Sequence, residues 1–209
     1  APPADRDDLK PGQIIVPSLD SRLARGFEVV ERLGHGGSGV VYKAKLPHEV
    51  HGRPDIALKL LRRGDRLEVS KRLRDAQVLK GLNQPHLVRV YAAGESTAFG
   101  PFIATEFIDG CNLKEWLHEH GGTGERHAAA VVRVLAEAIE AAHREGVIHC
   151  DVKPANVLGC RGRLNLNSVT IGDFGLARFV PNAGGHGSRA LGLTTGGTIG
   201  YMAPGQYWG

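Results

Sequence analysis

The chain has 209 residues, of which 42% are hydrophobic and 23% are charged. These proportions exclude a disordered chain and suffice for one sizeable core or two small lobes. The net charge of +4 is only mildly basic, so no nucleic-acid partner is expected. No apolar run approaches the roughly 20 residues that a membrane helix needs. The three cysteines form no paired motif, which favours a cytoplasmic location, with or without a membrane anchor outside this chain.

The N-terminal half is predicted to be mainly strands. Residues 1–26 are rich in Pro, Asp and Arg and predict a leader that is loosely ordered or packed on the edge of a domain. Alternating or Val- and Leu-rich segments then predict five strands, and apolar residues at helical spacing predict one helix. The strands are expected at 27–33, 39–46, 55–61, 87–93 and 101–107, and the helix at 66–82.

The C-terminal half is predicted to be mainly helical. Asn112 is a suitable N-cap for a helix that continues to residue 120. A second helix is expected over 127–144, with a broad apolar stripe. The stripe consists of Ala128, Val131, Val132, Leu135, Ala138, Ile139 and Ala142. Short strands at 157–158 and 169–171 and a long loop at 180–198 follow, so the chain has an α+β pattern in two lobes.

A glycine-rich segment lies between the first two predicted strands. Residues 33–41 have the sequence Leu-Gly-His-Gly-Gly-Ser-Gly-Val-Val. Glycines allow backbone N–H groups to approach a phosphate closely, which makes this segment a candidate phosphate site. A plain hairpin or a Rossmann turn is also compatible with the pattern, although a Rossmann turn is followed by a helix and this segment is followed by a predicted strand.

Lys59 lies on the strand predicted at 55–61, between Leu58 and Leu60. Burial of a lysine between apolar residues is costly without an anionic partner, and a nucleotide phosphate is such a partner. A strand lysine that faces water is the alternative.

Two further motifs carry acidic and amide side chains. The first is His-Cys-Asp-Val-Lys-Pro-Ala-Asn at residues 149–156, and the second is Asp-Phe-Gly at residues 173–175. With the glycine-rich segment, Lys59 and the Tyr-Met-Ala-Pro run at 201–204, they resemble the protein-kinase signature set in order and spacing. The resemblance covers about residues 27–207 and is closest to bacterial eukaryotic-like Ser/Thr protein kinases.

This resemblance implies a bilobal protein-kinase-like fold. The N-lobe, an antiparallel sheet with one helix, and the hinge are expected over 27–108. A partial and mainly helical C-lobe with the catalytic loop and activation segment is expected over 109–209. The C-lobe is expected to stop short of the family's usual end.

The resemblance also implies a reaction, the transfer of the γ-phosphate of ATP to Ser or Thr hydroxyls of a protein substrate. Asp151 would orient the hydroxyl and accept its proton, and Lys153 and Lys59 would neutralise phosphate charge. Asn156 and Asp173 would hold Mg²⁺, or alternatively Mn²⁺. The residues implied in nucleotide binding are Leu33, Gly34, His35, Gly36, Gly37, Ser38, Gly39, Val40, Val41, Ala57, Lys59, Thr105, Glu106, Ile108 and Leu158.

Three residues depart from the family pattern. Asp75 occupies the position where a helical Glu would pair with Lys59, and Gly205 replaces the Glu expected after Ala-Pro. Cys150 stands where the family commonly has an Arg, and in the family that Arg binds a phosphate on the activation loop. Phosphorylation of that loop is therefore expected to matter less; its candidate acceptors are Ser188, Thr194 and Thr195.

Two other functions remain alternatives. One is a nucleotide-binding pseudokinase or scaffold fragment whose catalysis is weak or absent. The three departures are compatible with it, as is the end of the chain four residues after Gly205. A small-molecule kinase of related fold is a further alternative, against which the Lys-Pro-Ala-Asn run at 153–156 argues.

Overall fold

The computed structural model describes residues 7–18, 26–45, 55–174, 178–179 and 197–208. They belong to two compact units. The first unit consists of Ala1–Gly81 and Arg89–Phe107, and the second consists of Leu82–Val88 and Ile108–Gly209. The units therefore differ from the predicted lobes in the placement of residues 82–88.

The first unit contains a six-stranded antiparallel sheet with the strand order β1-β2-β3-β4-β6-β5. Its strands are β1 (Ile14–Ile15), β2 (Phe27–Gly36), β3 (Gly39–Lys45), β4 (Ile56–Leu61), β5 (Val90–Ser96) and β6 (Gly100–Glu106). Alternation of side chains places the even-numbered β4 residues Ile56, Leu58 and Leu60 on one face, where all three are buried. Lys59 consequently lies on the opposite face.

The core of the first unit includes the segment before β2. Phe27 and Phe102 meet edge to face with ring centroids 5.5 Å apart. Ile15 is fully buried, and the Leu9 amide donates a 3.1 Å hydrogen bond to the buried hydroxyl of Tyr42. Each such apolar side chain contributes about 1.5–3 kcal/mol when it leaves water. Residues 7–18 therefore pack on the edge of the sheet, the second of the two possibilities predicted for the leader.

Helix α1 (Arg66–Leu79) is shorter than the predicted helix over 66–82. The Asp65 side chain caps its start by accepting a 3.2 Å hydrogen bond from the Leu67 amide. The helix packs on β5 and β6. Its buried residues do not belong to the group of buried apolar side chains that contains Leu58 on the other face of the sheet. It therefore covers the face of the sheet on which Lys59 lies.

The second unit is built from helices and short strand pairs. Its elements are α2 (Leu113–His120), α3 (Glu125–Arg144), β7 (Val147–Ile148), β8 (Val157–Leu158), β9 (Thr170–Ile171), β10 (Arg178–Phe179) and α4 (Pro204–Trp208). β7 pairs with β10 and β8 pairs with β9, both antiparallel. The predicted cap of α2 is confirmed, because Asn112 and Glu115 form a reciprocal capping box.

The apolar stripe of α3 is narrower than predicted. Its buried residues are Val131, Val134, Leu135, Ala138 and Ala142, which follow helical spacing. Val132, predicted to be in the stripe, has 66% of its surface exposed, and Ala128 is exposed as well. Val132 follows Val131 by about 100° around the helix, which turns its side chain off the buried face.

The predicted strand at 87–93 is wrong at its start. β5 begins at Val90, and Leu87 instead forms a parallel bridge with Ile171 of the second unit. The Val88 amide donates to the Ile171 carbonyl at 2.9 Å, and the Ile171 amide donates to the His86 carbonyl at 2.8 Å. This pairing joins residues more than 80 positions apart, so a local apolar pattern does not indicate it.

Candidate active site

The acidic residue of the 149–156 motif lies at the centre of a hydrogen-bond network in the second unit. Asp151 has 8% of its surface exposed. Lys153 Nζ lies 2.6 Å from Asp151 Oδ2, and the Thr198 hydroxyl donates to Asp151 Oδ1 at 2.8 Å. Lys153 also donates to the Thr198 hydroxyl at 2.7 Å. These three side chains form a closed triangle of charge-assisted hydrogen bonds.

This environment sets the charge of Asp151. Burial of its carboxyl acts to raise the pKa. Hydrogen bonds from Lys153, Thr198 and Asn156, together with the positive charge of Lys153, act in the opposite direction and lower the pKa below its ordinary value. Asp151 is therefore a carboxylate at neutral pH.

Asn156 follows Asp151 on a single turn of 3₁₀-helix (Pro154–Asn156) and is also buried. Its amide nitrogen donates to the main-chain carbonyl of Asp151 at 2.8 Å and to Oδ2 of the same residue at 3.2 Å. Both bonds use the nitrogen of the amide, so the oxygen is the atom that is left to act as a ligand.

The buried ring of His149 links the 149–156 loop to Gly172 by hydrogen bonds. Its Nδ1 accepts a 3.2 Å hydrogen bond from the Asp151 amide, and its Nε2 lies 2.9 Å from the Gly172 carbonyl. An amide N–H only donates and a carbonyl only accepts, so the ring is neutral with its proton on Nε2. Burial lowers the pKa of His149 more than the neighbouring carbonyl and carboxylates raise it, which agrees with a neutral ring.

The Asp-Phe-Gly motif adjoins this loop. The Gly172 amide donates to the Asn156 carbonyl at 2.9 Å, which brings the segment that begins at Asp173 next to Asn156. The Phe174 ring lies 4.4 Å from the ring of His149. Asp173 is exposed and has a φ of +56°, an unusual value for a residue other than glycine. Gly175, the last residue of the motif, lies outside the described residues.

The donor set fits a hard divalent cation. Asn156 offers an amide oxygen and Asp173 a carboxylate, and the Gly172 hydrogen bond ties the two segments together. Two oxygen ligands of this kind, completed by water and phosphate oxygens, are typical of Mg²⁺ sites in phosphoryl-transfer proteins.

The glycine-rich segment forms a hairpin in the first unit. β2 and β3 pair from Glu28 to Gly36, and the turn between them consists of Gly37 and Ser38. Because β3 follows this turn directly, the Rossmann alternative is wrong. Val40 is buried, whereas His35, Gly36 and Gly37 are exposed. The tip thus presents accessible backbone, as a phosphate site would require.

The remaining nucleotide candidates of the first unit lie on neighbouring strands. Lys59 on β4 is half-buried and pairs with Ile103 of β6, and Val41 of β3 is its other neighbour. Thr105 pairs with Ala57, and its hydroxyl lies 3.4 Å from the Ala57 carbonyl. Strand pairing therefore brings these candidates to one region of the sheet.

The predicted hinge residues lie where the chain leaves this sheet. Glu106 accepts a 2.9 Å hydrogen bond from the Arg89 amide through Oε1, and the first unit ends one residue later at Phe107. Ile108 and Leu158 belong to the second unit and are half-buried. The structure thus brings together Asp151, Lys153 and Asn156, while their convergence with Lys59 remains a prediction.

Comparison with known proteins identifies the arrangement. The family model described as "Protein kinase domain" matches residues 27–206. The chain belongs to the protein kinase domain family. The segment 149–156 lies within the matched range. The predicted resemblance of the chain to bacterial eukaryotic-like Ser/Thr kinases is confirmed by individual relatives.

Two of these relatives are kinases of Mycobacterium tuberculosis (strain ATCC 25618 / H37Rv). Serine/threonine-protein kinase PknB is 33% identical over 192 residues, which cover 89% of this chain and 29% of PknB. Serine/threonine-protein kinase PknD is 34% identical over 197 residues, which cover 93% of this chain and 28% of PknD. The chain thus spans less than a third of the length of these curated relatives.

A solved kinase structure has the same fold. The M. tuberculosis PknI kinase domain matches with a TM-score of 0.65 and 27% identity, over 81% of this chain and 62% of that one. The protein-kinase-like fold predicted from the sequence is thereby confirmed.

Sequence reasoning missed one member of the hydrogen-bond network around Asp151. Thr198 contacts both Asp151 and Lys153 but was not among the predicted site residues. The available signal was its place in the Gly-Thr pair that precedes the Tyr-Met-Ala-Pro run. The predicted phosphate acceptors of the activation loop, Ser188, Thr194 and Thr195, lie outside the described residues.

Proposed function

We propose that this chain is the catalytic part of an ATP-dependent Ser/Thr protein kinase, which transfers the γ-phosphate of ATP to hydroxyls of a protein substrate. The observation that carries the proposal is the ionised, hydrogen-bonded Asp151 with Lys153 beside it. The names of the relatives PknB and PknD support the Ser/Thr class.

Asp151 has the capacity to bind one more donor. A carboxylate has about four acceptor positions. Among the described side chains, Thr198 uses one on Oδ1, and Lys153 and Asn156 use two on Oδ2. The fourth, on Oδ1, would accept the substrate hydroxyl. Asp151 would orient that oxygen towards phosphorus and take its proton as the new P–O bond forms and ADP leaves.

Lysines would supply positive charge at the transferred phosphoryl group. Lys153 is held by Asp151 and Thr198, so its position is fixed before substrate binds. Lys59 would bind phosphate oxygens from the strand next to the glycine-rich hairpin. Positioning of this kind is the main catalytic resource in phosphoryl transfer.

Asn156 and Asp173 would hold Mg²⁺, or Mn²⁺ in its place. When bound, the ion neutralises charge on the phosphate oxygens. The chain's own contribution is to hold the two oxygen ligands on segments joined by the hydrogen bond between Gly172 and Asn156.

We propose that adenine is bound by the residues that the family match implies. The family match implies Val41, Ala57 and Leu158 around the ring, Thr105 behind it, and backbone groups of Glu106 and Ile108 at its edge. The pairing of Ala57 with Thr105 supports this assignment within the first unit.

We also propose that Asp75 replaces the usual helical Glu as the partner of Lys59. Asp75 has 2% of its surface exposed and belongs to the buried side of α1. That helix covers the face of the sheet on which Lys59 lies. Burial of a carboxylate is costly unless it is paired, so a cation partner is expected for Asp75.

The test is transfer of labelled phosphate from Mg²⁺-ATP to casein by the wild-type chain and two matched variants. Asp151→Asn removes the proton acceptor with little change in shape and should lower turnover by at least 100-fold, the scale of general base catalysis. Asp8→Asn makes the same chemical change at an exposed surface pair with Lys10 and should leave turnover unchanged.

The outcome separates the proposal from its alternative. Wild-type turnover that Asp151→Asn abolishes supports a kinase. ATP binding by the wild-type chain without turnover at any Mg²⁺ or Mn²⁺ concentration would instead identify a nucleotide-binding pseudokinase or scaffold.

The cellular location remains a prediction. Within the part of the chain that the structure covers, no helix has both the length and the apolar character required to cross a bilayer. We propose a cytoplasmic site of action, where ATP and reduced thiols are available.

A further inference from the structure

We propose that Gln206, on the short helix α4, is a positioning residue for the catalytic Asp151. This inference rests on the proposed kinase function and extends it to a residue outside the motifs. Gln206 Nε2 donates a 2.6 Å hydrogen bond to the main-chain carbonyl of Cys150. That carbonyl belongs to the peptide group that joins Cys150 to Asp151.

Side chains hold both polar ends of this peptide group. Its carbonyl oxygen accepts from Gln206, and its N–H, on Asp151, donates to His149 Nδ1 at 3.2 Å. A peptide group that is fixed at both ends cannot rotate about its flanking bonds without losing a hydrogen bond. The direction in which the Asp151 side chain leaves the backbone is thereby set.

The backbone at this point needs such support. Cys150 has a φ of +63°, a strained backbone conformation for a residue other than glycine. Strained residues persist where their surroundings fix them, and Gln206 supplies a contact on the carbonyl side.

Gly197 covers the hydrogen bond. A Cβ atom at this position would lie 2.6 Å from Gln206 Nε2 and 3.1 Å from the Cys150 oxygen, and the φ of Gly197 is +144°. The next residue, Thr198, binds the Asp151 carboxylate. Residues 197–206 therefore hold Asp151 twice, by its side chain through Thr198 and by its preceding peptide through Gln206.

Replacement of Gln206 by glutamate provides a pH-dependent test. Gln206→Glu keeps the size of the side chain, but a carboxylate cannot donate to the Cys150 carbonyl. Loss of this bond at a partly buried acceptor corresponds to a reduction in kcat of about 5- to 150-fold at pH 8. The repulsion between the two oxygens raises the pKa of the introduced carboxyl. On protonation the side chain regains a donor, so the ratio of variant kcat to wild-type kcat should rise several-fold between pH 8 and pH 5.5.

Two further variants separate positioning from general damage. Gln206→Met has similar length and no donor, so its kcat should be low at every pH. Gln84→Glu makes the same charge change at an exposed site of the second unit and should behave as wild type. KM for ATP should change little in all three, because the contact acts on Asp151 rather than on nucleotide.

The proposal is overturned if Gln206→Glu retains wild-type kcat, or if its loss of activity is the same at pH 8 and pH 5.5. If the wild-type chain itself shows no turnover, the kinase function fails while this inference is still decided by NMR. Gln206→Met must then shift the backbone amide resonance of Asp151, and an unchanged resonance overturns the contact.

Discussion

The hydroxyl of Thr198 offers a sharp test of the catalytic network, because valine removes it without changing the shape of the side chain. In wild type this hydroxyl donates to Asp151 at 2.8 Å and accepts from Lys153 at 2.7 Å. Thr198→Val deletes both bonds, while Thr198→Ser keeps the hydroxyl and removes only the methyl group.

The expected loss in kcat follows from the charge of the groups that the Thr198 hydroxyl binds. A hydrogen bond to a charged group contributes about 1.5–3 kcal/mol. Lys153 and Asp151 still bind each other in the variant, so we count one such bond rather than two. At about 1.4 kcal/mol per tenfold change, kcat should fall by about 10- to 150-fold. Thr198 is half-buried and water can replace part of the contact, which favours the lower part of this range.

The pH dependence of this loss is also defined. The Thr198 hydrogen bond is one cause of the lowered pKa of Asp151, so its removal raises that pKa towards the ordinary 3.8. A carboxyl with that pKa is still ionised at pH 6.5. The loss in kcat should therefore be constant between pH 6.5 and 8, because it reflects a change in the position of the Asp151 carboxylate and not in its charge.

The assay is the initial rate of phosphate transfer to casein, with thermal unfolding of each variant as the control for folding. Thr198→Ser should retain at least a third of wild-type kcat. Equal losses in the serine and valine variants would refute the reasoning, as would full activity in Thr198→Val at an unchanged melting temperature.

Three other outcomes are expected. Asp75→Glu should maintain or raise casein phosphorylation if its carboxylate serves Lys59; a large loss would contradict that pairing. For His149, the lowered pKa means that the unfolded chain takes up a proton first as pH falls below about 6.5. The contribution of His149 to stability is therefore present above that pH and lost below it. Urea unfolding of wild type and His149→Gln should show this loss. The difference between their unfolding free energies should shrink from pH 7.5 to pH 5, by at most about 1.4 kcal/mol per pH unit. Gly159→Ala combines a φ of +82° with a clash against a main-chain carbonyl, whereas Gly121→Ala has a φ of +72° in open space. The first should cost clearly more unfolding free energy than the roughly 1–2 kcal/mol expected of the second, and equal costs would show that the clash is relieved.

Local motifs predicted which residues of the candidate site lie close together. Asp151, Lys153 and Asn156 lie within six residues, so one short loop brings them together and the sequence displays them as one pattern. The glycine-rich hairpin is similarly local, because its two strands pair through a two-residue turn. The α2 cap depends on residues three positions apart.

Contacts between distant residues were the part that the sequence could not predict. Leu87 fits the apolar pattern of β5, but a main-chain pairing with Ile171 removes it from that strand. Thr198 and Gln206 form hydrogen bonds with Asp151 and Cys150, which lie 47 and 56 positions away in the sequence. Nothing in the residues near either of them indicates which carboxylate or carbonyl they bind.

The pairing of residues 82–88 with β9 has a consequence for any attempt to dissect this protein. The chain enters the second unit at Leu82, leaves it at Arg89, and returns at Ile108. A single cut after Phe107 would therefore produce two pieces, neither of which corresponds to a folding unit. The N-terminal piece would carry Leu87 and Val88, both buried in the intact chain, without Ile171 to receive them. The C-terminal piece would lack Leu82–Val88, which belongs to its own unit and pairs with Ile171. Neither piece is therefore suitable for independent expression.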